Sequence, residues 1–328
     1  MQAWQVLAEG EPGTVLELRD VPAPEPAPGQ VLVRVRAAAA NFPDVLLCRG
    51  QYQERFEHPF TPGIELCGDI VAIGPGVTGW GLGDRVLGGA ALPAGAFAEM
   101  ALMPAYDVHA APASLGDPEA SALHVAYQTA WFALHHRAGL RAGETLLVHA
   151  AAGGVGSAAV QLGVAAGARV IAVVGGLEKA DVARAQGAAV VVDRSSTDFV
   201  EVVKHETGGR GVDVVFDPVG GDSFVGSTKC IAFEGRIVLI GFASGHIAPI
   251  RANHVLIKNY SVLGLHWGVY RTRDQDLVRR CYDDLVRLSD AGLIRPVVGE
   301  LIGLEDVPAG LDRLGAGRTV GRVVVVSR

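Results

Sequence analysis

The middle of the chain alternates short apolar segments with segments of helical periodicity. The predicted strands cover residues 145–150, 169–174, 189–192, 212–216, 236–240 and 261–265. The predicted helices between them cover residues 154–166, 178–186, 197–207, 222–230 and 253–258. Continuously apolar strands joined by helical crossovers are typical of a parallel sheet buried on both faces. This region is therefore predicted to be a doubly wound, six-stranded nucleotide-binding domain.

The two ends of the chain have a different pattern. Residues 31–36 alternate apolar and basic side chains, and residues 65–74 form a second candidate strand. A helix is predicted over residues 118–136, an amphipathic helix over 274–291 and an apolar strand over 321–327. The fold class is predicted as α/β, with the nucleotide domain inserted between the two sequence halves of a β-rich domain.

Composition narrows the class of protein. The chain has 328 residues, of which 49% are hydrophobic and 19% charged, so an intrinsically disordered protein is excluded. The net charge of -7 argues against a general nucleic-acid binder. Neither a secretory signal nor a membrane span is predicted, because no basic segment precedes an apolar one and every apolar stretch is interrupted. We therefore expect a cytoplasmic protein whose partner is a small molecule.

The four cysteines do not suggest a metal cluster. Cys48, Cys67, Cys230 and Cys281 are far apart in the sequence, and no Cys-x-x-Cys pair occurs. Closely spaced pairs are the usual mark of structural zinc sites, and even sets in short secreted chains mark disulfide frameworks. Four buried or half-buried thiols in a cytosolic protein are the expected alternative.

A glycine-containing turn joins the first predicted strand of the middle region to its first helix. The turn is an A-x-x-G-x-x-G variant with Ala150, Gly153 and Gly156 at the defining positions. Backbone at such a turn can approach a diphosphate, and the helix N-terminus supplies N–H groups and partial positive charge. A purely structural turn is the weaker alternative, because the motif lies within a strand and helix alternation. The predicted contacts are Ala152, Gly153, Gly154, Val155 and Gly156.

The end of the second predicted strand favours NADPH over NADH. NAD-binding domains usually carry an acidic residue there for the ribose hydroxyls, but residues 173–176 contain none. Glu178 lies in the first turn of the next helix, where an acid is expected for reasons of helix dipole. Lys179 and Arg194 are nearby cations, although both could be merely solvated. We predict that Gly175, Lys179 and Arg194 accommodate a 2′-phosphate.

Several motifs together resemble one known family. They are residues 143–156 with Gln161, the Asn41-Phe42-Pro43-Asp44 stretch with Tyr52, residues 61–65 continuing to 74–77, and residues 83–86. The chain resembles the zinc-free medium-chain dehydrogenases/reductases of the NADPH:quinone oxidoreductase (zeta-crystallin-like) branch. The resemblance implies a GroES-like catalytic domain over residues 1–122 and 266–328 and a Rossmann domain over 123–265. It also implies a homodimer, or a tetramer, formed through the last Rossmann strand at residues 261–265.

The resemblance implies a site without metal. Zinc-dependent relatives use a Cys, the His of a Gly-His-Glu segment and another Cys, whereas this chain has Ile64 at the His position and Asn41 near the first Cys position. Cys48 falls several residues further on. Tetrahedral zinc needs converging soft ligands, so no catalytic zinc is expected.

The resemblance further implies the residues of the acceptor site. Asn41, Asp44, Tyr52 and Tyr127 are expected to surround the acceptor, with Asn41 orienting it and Tyr52 donating a proton or a hydrogen bond. Asn41 and Asp44 could instead be turn residues, and Tyr52 a surface aromatic. The expected cofactor contacts outside the glycine turn are Thr129, Val219, Gly241, Phe242, Leu265 and Trp267.

Three functions remain open at this level. A metal-free hydride donor suits an electrophilic acceptor, which favours an NADPH:quinone oxidoreductase. An NADPH-dependent enoyl or 2-alkenal reductase would use the same scaffold. A non-catalytic, crystallin-like NADPH-binding protein is the alternative from another class. The sequence does not separate them, because loops shape the acceptor pocket.

Overall fold

The computed structural model describes residues 1–327, which divide into two compact units. The terminal unit comprises residues 1–125 together with the chain from residue 295 onward, and the central unit comprises residues 126–294. Residues 266–294 therefore belong to the central unit, whereas the resemblance places them with the terminal one. The rings of Phe132 and Tyr270 lie 4.6 Å apart, and the Trp131 indole donates to Asp284 over 3.3 Å. These contacts attach residues 266–294 to the start of the central unit.

The first part of the terminal unit is mostly strand. Its strands are β1 (Gln2–Val6), β2 (Leu16–Asp20), β3 (Gln30–Ala39), β4 (Glu65–Ile73), β5 (Arg85–Gly89), β6 (Met100–Pro104) and β7 (Val108–Ala110). Its helices are α1 (Pro12–Val15), α2 (Phe42–Cys48) and α3 (Asp117–Ser121), with a 3-10 turn at Ala105–Asp107. The predicted strand over residues 31–36 is the centre of β3, and that over 65–74 is β4.

The central unit follows the predicted alternation. Its strands are β8 (Thr145–Val148), β9 (Arg169–Val174), β10 (Val190–Asp193), β11 (Val212–Asp217), β12 (Ile231–Leu239) and β13 (Ser261–Gly264). Its helices are α4 (His124–Trp131, which begins in the terminal unit), α5 (Gly154–Ala165), α6 (Leu177–Ala185), α7 (Phe199–Glu206), α8 (Gly221–Cys230), α9 (Ala252–Lys258), α10 (Tyr270–Arg273) and α11 (Gln275–Asp290). A π-helical segment, Phe132–Arg137, continues α4, and a 3-10 turn covers Trp267–Val269.

The six strands of the central unit form one parallel sheet in the order β10-β9-β8-β11-β12-β13. In terms of chain position within the unit this is the order 3-2-1-4-5-6, that of the doubly wound dinucleotide-binding fold. The predicted fold class of this region is confirmed. The strand order reverses between β8 and β11, so their carboxyl ends border the crevice where such sheets bind ligands.

The last part of the chain completes the terminal unit. It contains β14 (Val298–Ile302), a 3-10 turn at Leu304–Asp306, α12 (Val307–Gly315) and β15 (Arg322–Val326). These strands join the sheet β14-β15-β3-β4-β5-β7, in which β6 also pairs with β3. The antiparallel pairing of β15 with β3 brings residues 324–326 beside residues 37–39. This pairing explains how both sequence ends form one domain.

The helix predicted over residues 118–136 is divided into α3, α4 and the π-helical segment. The division has a tertiary cause. The backbone N–H of Val125 donates to the buried Glu65 carboxylate over 2.7 Å instead of to a helical carbonyl, and the His124 ring contacts Asp107 over 3.2 Å. Buried polar partners therefore override local helix propensity here.

No helix within residues 1–327 is both long enough and apolar enough to span a lipid bilayer.

Candidate active site

The turn after β8 is shaped by a steric constraint. Ala150 has a left-handed φ of 48°. An ideal Cβ on Gly156 would lie 2.1 Å from the Ala150 carbonyl oxygen, whereas one on Gly153 would lie 3.2 Å from it. A side chain at residue 156 is therefore incompatible with this turn.

The helix that follows the turn begins without a side-chain cap. The N-cap residue of α5 is Gly153, which has no side chain to accept from the first-turn N–H groups. These N–H groups lack intrahelical partners by geometry and carry the positive end of the helix dipole. Together with the strand order, this turn defines the dinucleotide-binding class of α/β domains.

A buried histidine connects the turn to α8. The His149 imidazole lies 2.8 Å from the Ser227 hydroxyl, which itself donates to the Ser223 carbonyl over 2.8 Å. The contact between His149 and Ser227 therefore joins the end of β8 to α8. Burial lowers the pKa of His149 to about 4, so the ring is neutral. Sequence reasoning missed this role, since nothing near residue 149 indicated its distant partner.

Arg194 lies beside the end of β9, as the preference for NADPH requires. Its Nε is 3.5 Å from an ideal Cβ on Gly175, and the residue is exposed, whereas Lys179 is half-buried on α6. Sequence reasoning overlooked Asp193, whose Oδ1 accepts from the backbone N–H of Gly176 over 2.9 Å. This hydrogen bond is the largest cause of the lowered pKa of Asp193. The carboxylate therefore stabilises the loop beside Gly175.

A cavity of about 450 Å³ adjoins Arg194 and Val219, two of the predicted cofactor contacts. Its wall includes the start of α8 and residues Ser244 and His246, which sequence reasoning did not single out. Gly220 has a φ of 69°, and a Cβ there would lie 2.7 Å from the Phe242 ring. The volume is in the range of small-molecule sites.

The other predicted cofactor contacts differ in exposure. Gly241 is half-buried and Phe242 is 39% exposed. The buried ones are Thr129, Ala152, Leu265 and Trp267. Contact of any of these residues with a dinucleotide stays a prediction.

The predicted acceptor residue Asn41 is the N-cap residue of α2 in the terminal unit. Its backbone N–H donates to Asp44 over 2.8 Å, and the side chains of both residues complete a capping box. Asp44 also accepts from the Gly63 N–H over 3.1 Å. Burial raises the pKa of Asp44 to about 7, because the two N–H donors offset only part of the cost of desolvation.

The amide of Asn41 belongs to a buried polar cluster formed by Asn41, Asp44, Glu65 and Arg322. Its Nδ2 donates to Glu65 over 2.9 Å and to the Ala39 carbonyl over 3.0 Å. Its Oδ1 accepts from Arg322 over 2.9 Å, and the Arg322 guanidinium also bonds Glu65. Both amide N–H groups are thus engaged within the protein, so this arrangement does not support the predicted role of Asn41 in orienting an acceptor.

The two predicted tyrosines have different surroundings. Tyr52 is half-buried and packs against the apolar core of the terminal unit. Tyr127 is only 1% exposed, and its hydroxyl donates to Gln161 on α5 over 3.0 Å. Tyr127 therefore packs α4 against α5, a placement that does not support its predicted role in the acceptor site.

Sequence reasoning also missed Arg322 as a member of the buried polar cluster. In the sequence, Arg322 is a single cation at the start of an apolar strand, and nothing near it indicates a partner.

Comparisons with known proteins agree with this architecture. Residues 27–113 match the alcohol dehydrogenase GroES-like domain family, and residues 154–282 match the zinc-binding dehydrogenase family. The chain is 40% identical over 300 residues to quinone oxidoreductase-like protein 2 of Bos taurus, covering 91% of this chain and 85% of the relative.

Two solved structures are similar over nearly the whole length. A mycobacterial protein complexed with NADPH has a TM-score of 0.93 at 33% identity, covering 99% of this chain and 100% of the other. A quinone oxidoreductase of Pseudomonas syringae has a TM-score of 0.91 at 31% identity, covering 99% of each chain. The chain belongs to the medium-chain dehydrogenase/reductase family, among its quinone oxidoreductase-like members, and the resemblance seen in the sequence is confirmed.

The donor set of this chain does not fit the catalytic zinc ion that the family description suggests. Ile64 offers no ligand atom at the histidine position. Asn41 is bonded to Arg322 and Glu65, and the buried guanidinium already balances the charge of Glu65. A cation at this place would be repelled by Arg322.

Proposed function

We propose that this protein is an NADPH-dependent reductase that transfers a hydride to a quinone. The observation that carries the proposal is the uncapped N-terminus of α5 behind Gly156, at the reversal point of a dinucleotide-binding sheet. The relatives named as quinone oxidoreductases, and the similar structure complexed with NADPH, support the choice of cofactor and acceptor.

The residues present fit the cofactor. The N–H groups at the start of α5 would bind the diphosphate, and the absence of a side chain at Gly156 keeps the turn compact enough to reach it. Arg194, exposed beside Gly175, would pair with the 2′-phosphate. NADPH, when bound, supplies the hydride.

The acceptor class follows from the donor set. Ile64 supplies no ligand at the histidine position of the zinc-dependent relatives, so the acceptor must itself stabilise the charge left by hydride attack. Quinones and α,β-unsaturated carbonyls both do so, because the charge moves onto an oxygen. The names of the relatives favour the quinone.

Steady-state NADPH oxidation with four acceptors tests the function. We expect turnover with 1,4-benzoquinone and 9,10-phenanthrenequinone, and little with 2-cyclohexenone or crotonyl-CoA. Turnover restricted to the enone or the enoyl thioester would replace the proposal with an enoyl or 2-alkenal reductase. Saturable NADPH binding without turnover of any acceptor would indicate a non-catalytic NADPH-binding protein.

A substitution at Arg194 tests the preference for NADPH in the same assay. Arg194→Glu should raise the KM for NADPH at least tenfold while changing that for NADH little, since only NADPH carries the 2′-phosphate. Arg184→Glu is the matched control, because Arg184 is an exposed arginine of α6 paired with Asp181. Equal effects of the two variants would contradict a phosphate contact at Arg194.

We also propose that the protein is a homodimer formed through β13. This strand is an edge of the central sheet and pairs only with β12 among the described strands. The neighbouring helix α9 exposes 77% of Leu256 and 75% of Ile257. An unpaired edge beside exposed apolar side chains favours association. Sedimentation equilibrium should give twice the chain mass of 34.1 kDa, and a monomer mass would refute it.

A further inference from the structure

Two histidines and an aspartate converge in the terminal unit, outside the polar cluster. Asp107 ends the 3-10 turn before β7, His109 lies in β7 two residues later, and His124 is the first residue of α4. The two residues lie on either side of Val108 where the turn passes into β7, and their ligand atoms lie close together. Asp107 and His124 are buried, and His109 is half-buried.

The distances within this trio suit a small cation. One ligand atom from each residue lies within 4.8 Å of the others. The His124 Nε2 and Asp107 Oδ2 atoms are 3.2 Å apart, close to the edge of roughly 3.3 Å expected for a tetrahedron with bonds of about 2.0–2.1 Å. The two imidazole rings lie 5.6 Å apart at an angle of 44°, so they tilt across the gap instead of stacking.

We propose that Asp107, His109 and His124 form a binding site for a divalent transition-metal ion, with zinc as the expected occupant. Two imidazoles and a carboxylate are a donor set that suits zinc and its neighbours in the first transition row. Side-chain movements of about an ångström would close the three atoms around the ion. His109 is the most exposed of the three ligands.

Neighbouring backbone already orients the carboxylate. The Gly89 N–H donates to Asp107 Oδ2 over 3.0 Å, the kind of outer contact that stabilises metal ligands in a defined orientation. Because the three ligands come from the turn before β7, from β7 and from α4, a bound ion would cross-link residues 107–124. The site is therefore structural, and it uses neither Asn41 nor Ile64, the positions matched above to zinc ligands of other family members.

Metal titration of the full chain tests the proposal without reference to activity. The protein is stripped with a chelator, and zinc binding is measured by calorimetry and by elemental analysis after desalting. We expect one zinc ion per chain, a higher unfolding temperature with zinc, and visible d–d absorption of a four-coordinate ion when cobalt replaces zinc. His109→Gln, checked for folding by circular dichroism, should weaken binding at least tenfold and abolish the cobalt spectrum.

His205→Gln is the matched control. His205 is 86% exposed beside Glu206, so this variant tests whether an exposed histidine on the surface binds the zinc instead. This variant should bind zinc as the unaltered protein does. Loss of the ion in His205→Gln, retention of full binding in His109→Gln, or absence of stoichiometric zinc in the unaltered protein would each overturn the proposal.

Discussion

The glycine turn of the central unit and the buried polar cluster of the terminal unit each have a defined geometry, but for opposite reasons. The turn is built from residues 150–156, and its shape depends on what is missing, a side chain at Gly156. The cluster depends on what is present, a buried cation and anions contributed by residues up to 281 positions apart. A local steric rule is visible in the sequence, whereas a distant charge pairing is not.

The largest loss of stability should come from removing the buried cation that balances the charge of the cluster. Arg322→Met leaves Glu65 buried without its guanidinium partner, and we expect the free energy of unfolding to fall by about 3–5 kcal/mol. Denaturant unfolding measures this loss. Adding Glu65→Gln should recover much of the stability, because the uncompensated charge is then removed.

Arg279→Met is the control for that experiment. Arg279 pairs with Asp276 on the surface of α11, where both side chains are more than half exposed. Loss of an exposed pair should cost less than about 1 kcal/mol. Similar losses in Arg322→Met and Arg279→Met would show that burial does not distinguish the cluster from an ordinary ion pair.

A smaller effect on stability is expected from the turn. Gly156→Ala places a methyl group 2.1 Å from the Ala150 carbonyl oxygen, so the backbone must move. We expect a loss of about 1–3 kcal/mol and at least tenfold weaker NADPH binding, measured by quenching of intrinsic fluorescence. Gly153→Ala, with 3.2 Å to the same oxygen, should be milder in both respects. The reverse order would contradict the steric account.

The smallest loss of stability at pH 8 is expected from Asp44→Asn, within the buried polar cluster. The variant loses one acceptor for the N–H groups of Asn41 and Gly63, at a cost of about 1 kcal/mol. The pKa of Asp44 is raised to about 7 in the folded protein from an ordinary value of 3.8. Between these values the unfolded chain releases the proton first, so the stability of the unaltered protein falls as pH rises.

The cost of Asp44→Asn should therefore be larger at pH 5 than at pH 8, because only the unaltered protein has the stabilising protonated carboxyl. Urea unfolding at both pH values measures the difference. A cost that is independent of pH, or larger at pH 8, would contradict the raised pKa of Asp44.

Much of the central unit could be predicted, because its elements depend on near neighbours. Apolar runs with helical connections predicted all six strands of the sheet, and β9 has the predicted bounds of residues 169–174. The start of β12 was missed by five residues, since residue 231 pairs with Val212 across a register shift that no local pattern marks. The placement of the glycine turn between strand and helix was also predictable.

By itself, then, the sequence determined the parallel sheet, the turn at Gly156 and the family, since periodicity and spacing act over a few residues. Only the tertiary structure decided that Arg322 meets Glu65, that Tyr127 bonds Gln161, and that α11 packs in the central unit. The physical reason is that buried polar groups must find partners wherever the folded chain brings them, and those partners are distant in sequence.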